Sequence, residues 1–262
     1  MNMSKVNMAG FERFYNNEAL SDLMLIFSGH EIPVHKAILS AQNMYFSKLF
    51  EGPFAETSAT SVELHEDDPV ALQRLLKCLY GYEVDIFGEH YAESLMRADP
   101  REIEPKDGWS DIAVKNCLNS NFRCWNHMAR AWELSPRCRK AFAETIELYL
   151  VADKYLAAEV CDDQVRRFDF SLLHRFFYNT LFLTEEEPVD VSEIAEVFDP
   201  LYERTAGHED KMRRKIAGFF DGWWVTSVGP TPNQLLVLYD ALPDLRSDIL
   251  QLRASRAAEK GK

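Results

Sequence analysis

Residues 21–50 read SDLMLIFSGHEIPVHKAILSAQNMYFSKLF, and their change of period decides the fold. Leu23-Met24-Leu25-Ile26-Phe27 is a short apolar run closed by Ser28-Gly29, and Glu31-Ile32-Pro33-Val34-His35 follows as a second run. Two short runs across a Gly turn predict a β-hairpin. Apolar residues on both parities of the first run predict a strand covered on both faces, with helices packed on a small sheet. Pro33 has no N–H for a ladder, so the second strand is expected at a sheet edge or a bulge. From Lys36 the spacing turns helical: Ala37, Ile38 and Ala41, then Tyr45, Phe46, Leu49 and Phe50, describe two short helices broken near Gln42-Asn43.

On the N-terminal side, Met8, Phe11, Phe14 and Tyr15 recur at helical spacing before Ser21-Asp22. On the C-terminal side, Gly52-Pro53 stops the second helix and Ser61-Val62-Glu63-Leu64 reads as a short strand. Asp68-Pro69 then supplies an N-cap followed by Pro at the first helical position. The helix it opens carries Leu72, Leu75, Leu76 and Leu79 as one apolar stripe.

This order, strand hairpin, two helices, strand, helix, together with its residues resembles the BTB/POZ domain, a protein–protein interaction module. The matching stretches are Ser21-Asp22-Leu23, Val34-His35-Lys36-Ala37-Ile38-Leu39, Tyr45-Phe46, Phe54-Ala55-Glu56-Thr57, Val62-Glu63-Leu64, Leu75-Leu76 and Leu79-Tyr80. Val151-Ala152-Asp153-Lys154-Tyr155, followed by Val160, looks like the last helical pair of that fold. The resemblance implies an α+β fold: a small, mostly three-stranded sheet flanked by helical hairpins, then an all-α C-terminal extension. The expected domain covers residues 1–168, interrupted by an insertion at about 83–140, and residues 169–262 form the extension. The insertion carries Trp109, Trp125 and Trp132 in sequence read as irregular. The extension is patterned at Leu172, Leu173, Phe176 and Phe177, at Val191, Ile194, Val197, Phe198 and Leu201, and at Ile216, Phe219, Phe220 and Trp223. It ends on Leu235, Leu236, Leu238 and Tyr239, and resembles the helical extension of stand-alone BTB proteins abundant in fungi.

Charge and composition narrow the function. The 262 residues are 47% hydrophobic and 27% charged, an ordinary globular balance. With 29 Lys and Arg against 42 Asp and Glu, the net charge of −13 repels phosphate backbones and anionic membranes, so neither nucleic acid nor a membrane is an expected partner. No apolar run approaches a membrane span and the first ten residues hold no signal-like stretch. Five scattered Cys read as reduced thiols. The expectation is a cytoplasmic or nuclear protein. Short basic clusters at Arg137, Arg139 and Lys140, and at Lys211, Arg213, Arg214 and Lys215, read as solvated helix faces.

Catalytic and metal chemistry finds little support. Neither a phosphate-binding G-x-x-x-x-G-K-[ST] nor G-x-G-x-x-G occurs, and no G-x-S-x-G elbow. His30 and His35 are five apart with Pro33 between them, the wrong spacing for two zinc ligands on one helix face. Cys117, Cys124, His127 and Cys138 offer four soft ligands with only Cys124 and His127 at knuckle spacing, so reduced thiols are expected rather than a zinc site. Glu185-Glu186-Glu187 and Asp67-Asp68 read as a loop and a cap. No cofactor and no metal are expected. An enzyme with an unrecognised site around Cys124 and His127 is the rival from another class, and no nucleophile there is paired with a base.

What remains are interaction residues. Asp22 and Lys36 flank the hairpin at its base; the resemblance places them in a charged pocket at a dimer interface, and a local salt bridge is the alternative of equal standing. Met8, Phe11, Phe14 and Tyr15 match the helix that packs across the two-fold axis of dimeric relatives. His35 reads as a structural histidine. Phe54-Ala55-Glu56 matches the hydrophobic-x-Glu pattern that cullin-binding BTB domains present, an aromatic anchor beside an orienting charge. The implied function is a non-enzymatic module that pairs with itself and docks other proteins, including as substrate adaptor of a cullin-RING ubiquitin ligase. A nuclear corepressor-type oligomerisation scaffold is the alternative.

Overall fold

A computed structural model describes residues 10–86, 124–168, 192–223 and 232–260, with side chains at 10–86, 139–168, 195–221 and 236–259. The chain divides into two compact units, Met1–Asp85 with Glu144–Arg167, and Ile86–Ala143 with Phe168–Lys262. The fold is α+β, and among the described residues the strands all lie in the first unit.

Strands β1 (Leu23–Phe27) and β2 (His30–Val34) pair antiparallel from Leu23↔Val34 to Phe27↔His30. Their two-residue turn puts Ser28 (φ 47°) and Gly29 (φ 78°) in the left-handed region, whose twist matches that of the flanking strands. Strand β3 (Ser61–Glu63) joins β1 in parallel, with Leu25 opposite Val62. The order β2-β1-β3 leaves the Pro33 strand at an edge, where its missing N–H costs no ladder bond. One expectation is revised. Leu23, Leu25 and Phe27 are buried, but Met24 and Ile26 on the opposite parity are only half-buried, so β1 is fully covered on one face alone.

Helices α1 (Lys36–Gln42) and α2 (Met44–Glu51) are separated by the single residue Asn43. Asn43 is extended (φ −147°, ψ 126°), and its Oδ1 accepts the Phe46 N–H at 3.1 Å, capping α2. Helix α3 (Pro69–Leu79) starts on Asp68, whose Oδ1 accepts the Ala71 N–H at 2.7 Å. All four Leu of its stripe are buried. The chain returns on α4 (Cys124–Lys154), then α5 (Ala158–Arg167). The start of α4 at Cys124 corrects the reading of residues up to 140 as irregular: Met128-Ala129-Arg130-Ala131 and Glu133-Leu134 are strong helix formers, and the helix runs on into Val151–Lys154. Residues 87–123 of the expected insertion, including Cys117 and Trp109, lie outside the described residues.

In the second unit, α6 (Ser192–Arg204), α7 (Lys211–Trp223), α8 (Pro232–Ala241) and α9 (Pro243–Lys260) bury Val197, Phe198, Leu201, Ile216, Phe220, Leu238, Leu245 and Ile249. Leu172, Leu173, Phe176, Phe177 and Val191 lie outside the described residues, as does Glu185-Glu186-Glu187. Leu236, expected on an apolar face, is exposed. Arg213 also departs from expectation. It is buried in an ion pair with Asp248 rather than solvated, while Lys211 and Arg214 of the same cluster are exposed. Residue spacing alone cannot reveal a carboxylate arriving from another helix.

Candidate functional site

The Phe54-Ala55-Glu56 segment follows α2 as a single 3-10 turn, Ala55–Thr57. Gly52 opens the turn: a Cβ there would lie 2.6 Å from the Phe54 ring and 2.5 Å from the Lys48 carbonyl, so only glycine lets the ring lie against the backbone. Phe54 is nonetheless 54% exposed, a large apolar side chain held outward. Glu56, two residues on, is half-buried. The turn is closed by Thr57 N–H to Phe54 O (3.2 Å), Ala59 N–H to Glu56 O (3.2 Å) and the Thr57 hydroxyl to Gly52 O (2.6 Å).

Asp22 and Lys36 do meet at the hairpin base, though not as an ion pair of side chains. Asp22 Oδ1 accepts the backbone N–H of Lys36 at 2.8 Å. The Lys36 ammonium instead donates to the carbonyls of Thr57 (3.0 Å) and Ala59 (2.8 Å), and lies 5.7 Å from the centre of the Phe50 ring. The two residues were legible as a pair from the sequence; their partners were not.

A second set of contacts was missed by sequence reasoning. The Asp67 carboxylate, 1% exposed, accepts the Tyr155 hydroxyl at 2.6 Å and the Lys154 ammonium at 2.8 Å. Burial pushes the Tyr155 hydroxyl far up from its ordinary value, helped by the hydrogen bond to Asp67 and its charge. The carbonyl of Tyr155 accepts Asn43 Nδ2 at 2.9 Å, and its ring stacks on Phe46 and receives the edge of Tyr45. Glu66 (φ 66°) and Leu156 (φ 56°), the neighbours of the bonded pair, are held in the left-handed region that such side chains rarely adopt. The residues directly after the Asn43–Tyr155 bond, Met44 and Leu156, both stand exposed. Tyr45 is half-buried, and its hydroxyl is pushed up by burial, then by the charges of Asp67 and Glu56. A large apolar residue at a helix start (Met44) was the one available sequence signal.

The N-terminal candidates behave differently. Glu12–Phe14 is a 3-10 turn, not the expected helix, because Gly10 (φ 96°) and Asn16 (φ 50°) bracket it with left-handed backbone that no right-handed helix can include. Phe11, Phe14 and Tyr15 are half-buried on their own chain. Phe14 sets its ring edge-on to His35 at 5.4 Å, and Tyr15 packs edge-on to Tyr80 and Tyr82, each at 5.8 Å. Met8 lies outside the described residues. His35 is buried with Nε2 on the Ala19 carbonyl (2.8 Å) and Nδ1 on the Tyr80 hydroxyl (2.9 Å). A carbonyl only accepts, so Nε2 carries the proton and Nδ1 accepts from Tyr80, whose oxygen takes the His35 N–H at 2.9 Å.

Burial pushes the Tyr80 hydroxyl up to about 12 and the Cys78 thiol, on the same end of α3, up to about 12. Both groups are neutral when protonated, so a raised native value stabilises the fold below their ordinary values of 10.0 and 9.0. That contribution should be lost as pH rises through about 12. Thermal midpoints recorded against pH should therefore fall steadily above about 9; a flat profile to pH 12 would show that neither group is buried in solution.

No helix among the described residues is long and apolar enough to cross a membrane. The four soft ligands considered above divide: Cys117 lies outside the described residues, whereas Cys124, His127 and Cys138 fall on α4, with their side chains outside the description.

Comparison with known proteins agrees with this architecture. Residues 11–102 match the family model described as BTB/POZ domain. Human Kelch-like protein 30 is 32% identical over 71 residues, 27% of this chain and 12% of that protein. Kelch-like protein 3 of Danio rerio is 30% identical over 112 residues, 40% of this chain and 19% of the relative. Mouse TD and POZ domain-containing protein 4 is 32% identical over 100 residues, 38% of this chain and 26% of the relative. The matched stretches thus span about a quarter or less of these relatives.

Proposed function

Residues 11–102 are a BTB/POZ domain, a protein-interaction fold, and from that premise we propose that the chain is a docking module with no chemistry of its own, acting in the cytoplasm or nucleus. Its sharper form is a substrate adaptor of a cullin-RING ubiquitin ligase, with the Phe54-Ala55-Glu56 turn as the cullin-facing element. The observation that carries this reading is Phe54: 54% exposed, on a turn closed by its own hydrogen bonds, with Glu56 beside it. Exposing a Phe has no benefit for folding, whereas a rigidly held aromatic is what an interface anchor requires. Met44 and Leu156 add exposed apolar surface on the helix start and turn joined by the Asn43–Tyr155 bond. The Phe14 and Tyr15 rings, by contrast, are engaged with His35, Tyr80 and Tyr82 of their own chain.

In a titration with a cullin N-terminal domain, Phe54→Ala should weaken binding by more than about 1 kcal/mol, the level that separates anchors from bystanders. Glu56→Ala should weaken it less if the charge sits at a solvated rim. Neither change should move the unfolding midpoint much. A large stability loss in Phe54→Ala would instead make the residue part of the core, and wild-type protein that binds no cullin domain would end the adaptor reading.

A further inference from the structure

Lys36 is the first residue of α1, and a cation at a helix N-terminus opposes the helix dipole. Its charge therefore serves something other than its own helix. The Lys36 ammonium reaches across to the carbonyls of Thr57 and Ala59, and crosses the Phe50 ring on the way. Those carbonyls lie one and three residues after Glu56, in the segment that leads into β3. Lys36 itself is fixed at both ends: Asp22 takes its N–H, and α1 follows directly from the β2 edge of the hairpin. Charge-assisted bonds to two backbone acceptors twenty-odd residues away hold an exposed turn more firmly than its internal bonds do.

We infer that Lys36 is a positioning residue, which holds the Phe54–Glu56 turn in the conformation that docks a partner without touching that partner. The role rests on the docking reading of Phe54 given above. Asp22 and Lys36 then act in series: the carboxylate anchors the start of α1, and the ammonium transfers that anchor to the turn. The device explains why a lysine with a half-buried stem stands where a helix prefers an acid or a small polar residue.

The test uses full-length wild type, Lys36→Met and Lys36→Arg. The Met variant keeps an unbranched apolar stem and removes the donors; the Arg variant keeps several donors. Amide hydrogen exchange is read at residues 54–61 and, as a check on the fold, at Leu72–Leu79 of α3. In Lys36→Met the turn should exchange about tenfold faster or more while α3 is unchanged, and Lys36→Arg should restore most of the protection. Binding of a cullin N-terminal domain should weaken in Lys36→Met about tenfold and recover in Lys36→Arg. Unchanged turn exchange in Lys36→Met overturns the clamp whatever the binding shows. Faster exchange with undiminished binding overturns its role in docking. If wild type binds no cullin domain, the docking reading of Phe54 fails with the positioning role that rests on it, and exchange still decides whether Lys36 orders the turn.

Discussion

Arg213→Met is expected to cost the second unit about 3–5 kcal/mol, because it would strand a buried carboxylate. The guanidinium is 4% exposed and Asp248 3% exposed, with Nε and an Nη donating to the two carboxylate oxygens at 2.8 and 3.0 Å. Asp244 stands 3.8 Å away, and the guanidinium carbon lies 4.6 Å from the centre of the Tyr202 ring. The pair joins α7 to α9, two helices separated in sequence by α8. Breaking a buried pair leaves one desolvated charge uncompensated, whereas replacing both members with apolar residues removes the desolvation cost altogether. Asp248→Leu should thus be about as damaging as Arg213→Met, and the double variant should recover much of the loss. Tyr202→Phe keeps the ring under the guanidinium and deletes a buried hydroxyl that has no hydrogen-bond partner among the described residues, so it should be close to neutral. Urea denaturation of the four variants measures the cycle. A single-variant loss under about 1 kcal/mol would mean that water reaches the pair.

Leu76→Ala should destabilise the first unit by about 2–5 kcal/mol. Leu72, Leu75 and Leu76 are fully buried on α3, and Tyr80 closes the same face one turn on. Truncation removes the transfer free energy of three carbons and leaves a cavity that the fully buried surroundings can fill only in part. Val70, on the same helix and 49% exposed, is the internal control: Val70→Ala should stay within about half a kcal/mol of wild type. Equal midpoints for Leu76→Ala and wild type would place the stripe outside the core.

What the sequence determined by itself is what neighbouring residues decide among themselves. The left-handed turn at Ser28-Gly29, the edge position of Pro33, the helix break at Asn43 and the cap on Asp68 each follow from a side chain acting on backbone within a few residues. Apolar spacing likewise marked Leu72, Leu75, Leu76 and Leu79 as one face, because a helix repeats every 3.6 residues whatever it packs against. The Phe54-Ala55-Glu56 turn was legible as a motif, but not the Gly52 contact or the Lys36 bonds that hold its ring and backbone. Polar partnerships carry no period. Asp67 read as half of a capping dipeptide, yet its carboxylate is the acceptor for Tyr155 and Lys154, 88 and 87 residues away. Arg213 read as one of four solvated cations until α9 brought Asp248 to it. A hydrophobic side chain announces its burial through its own chemistry, since any apolar neighbour satisfies it. A charge or a hydroxyl can be buried only against a specific partner at hydrogen-bond distance, and which partner arrives is decided when the tertiary fold closes.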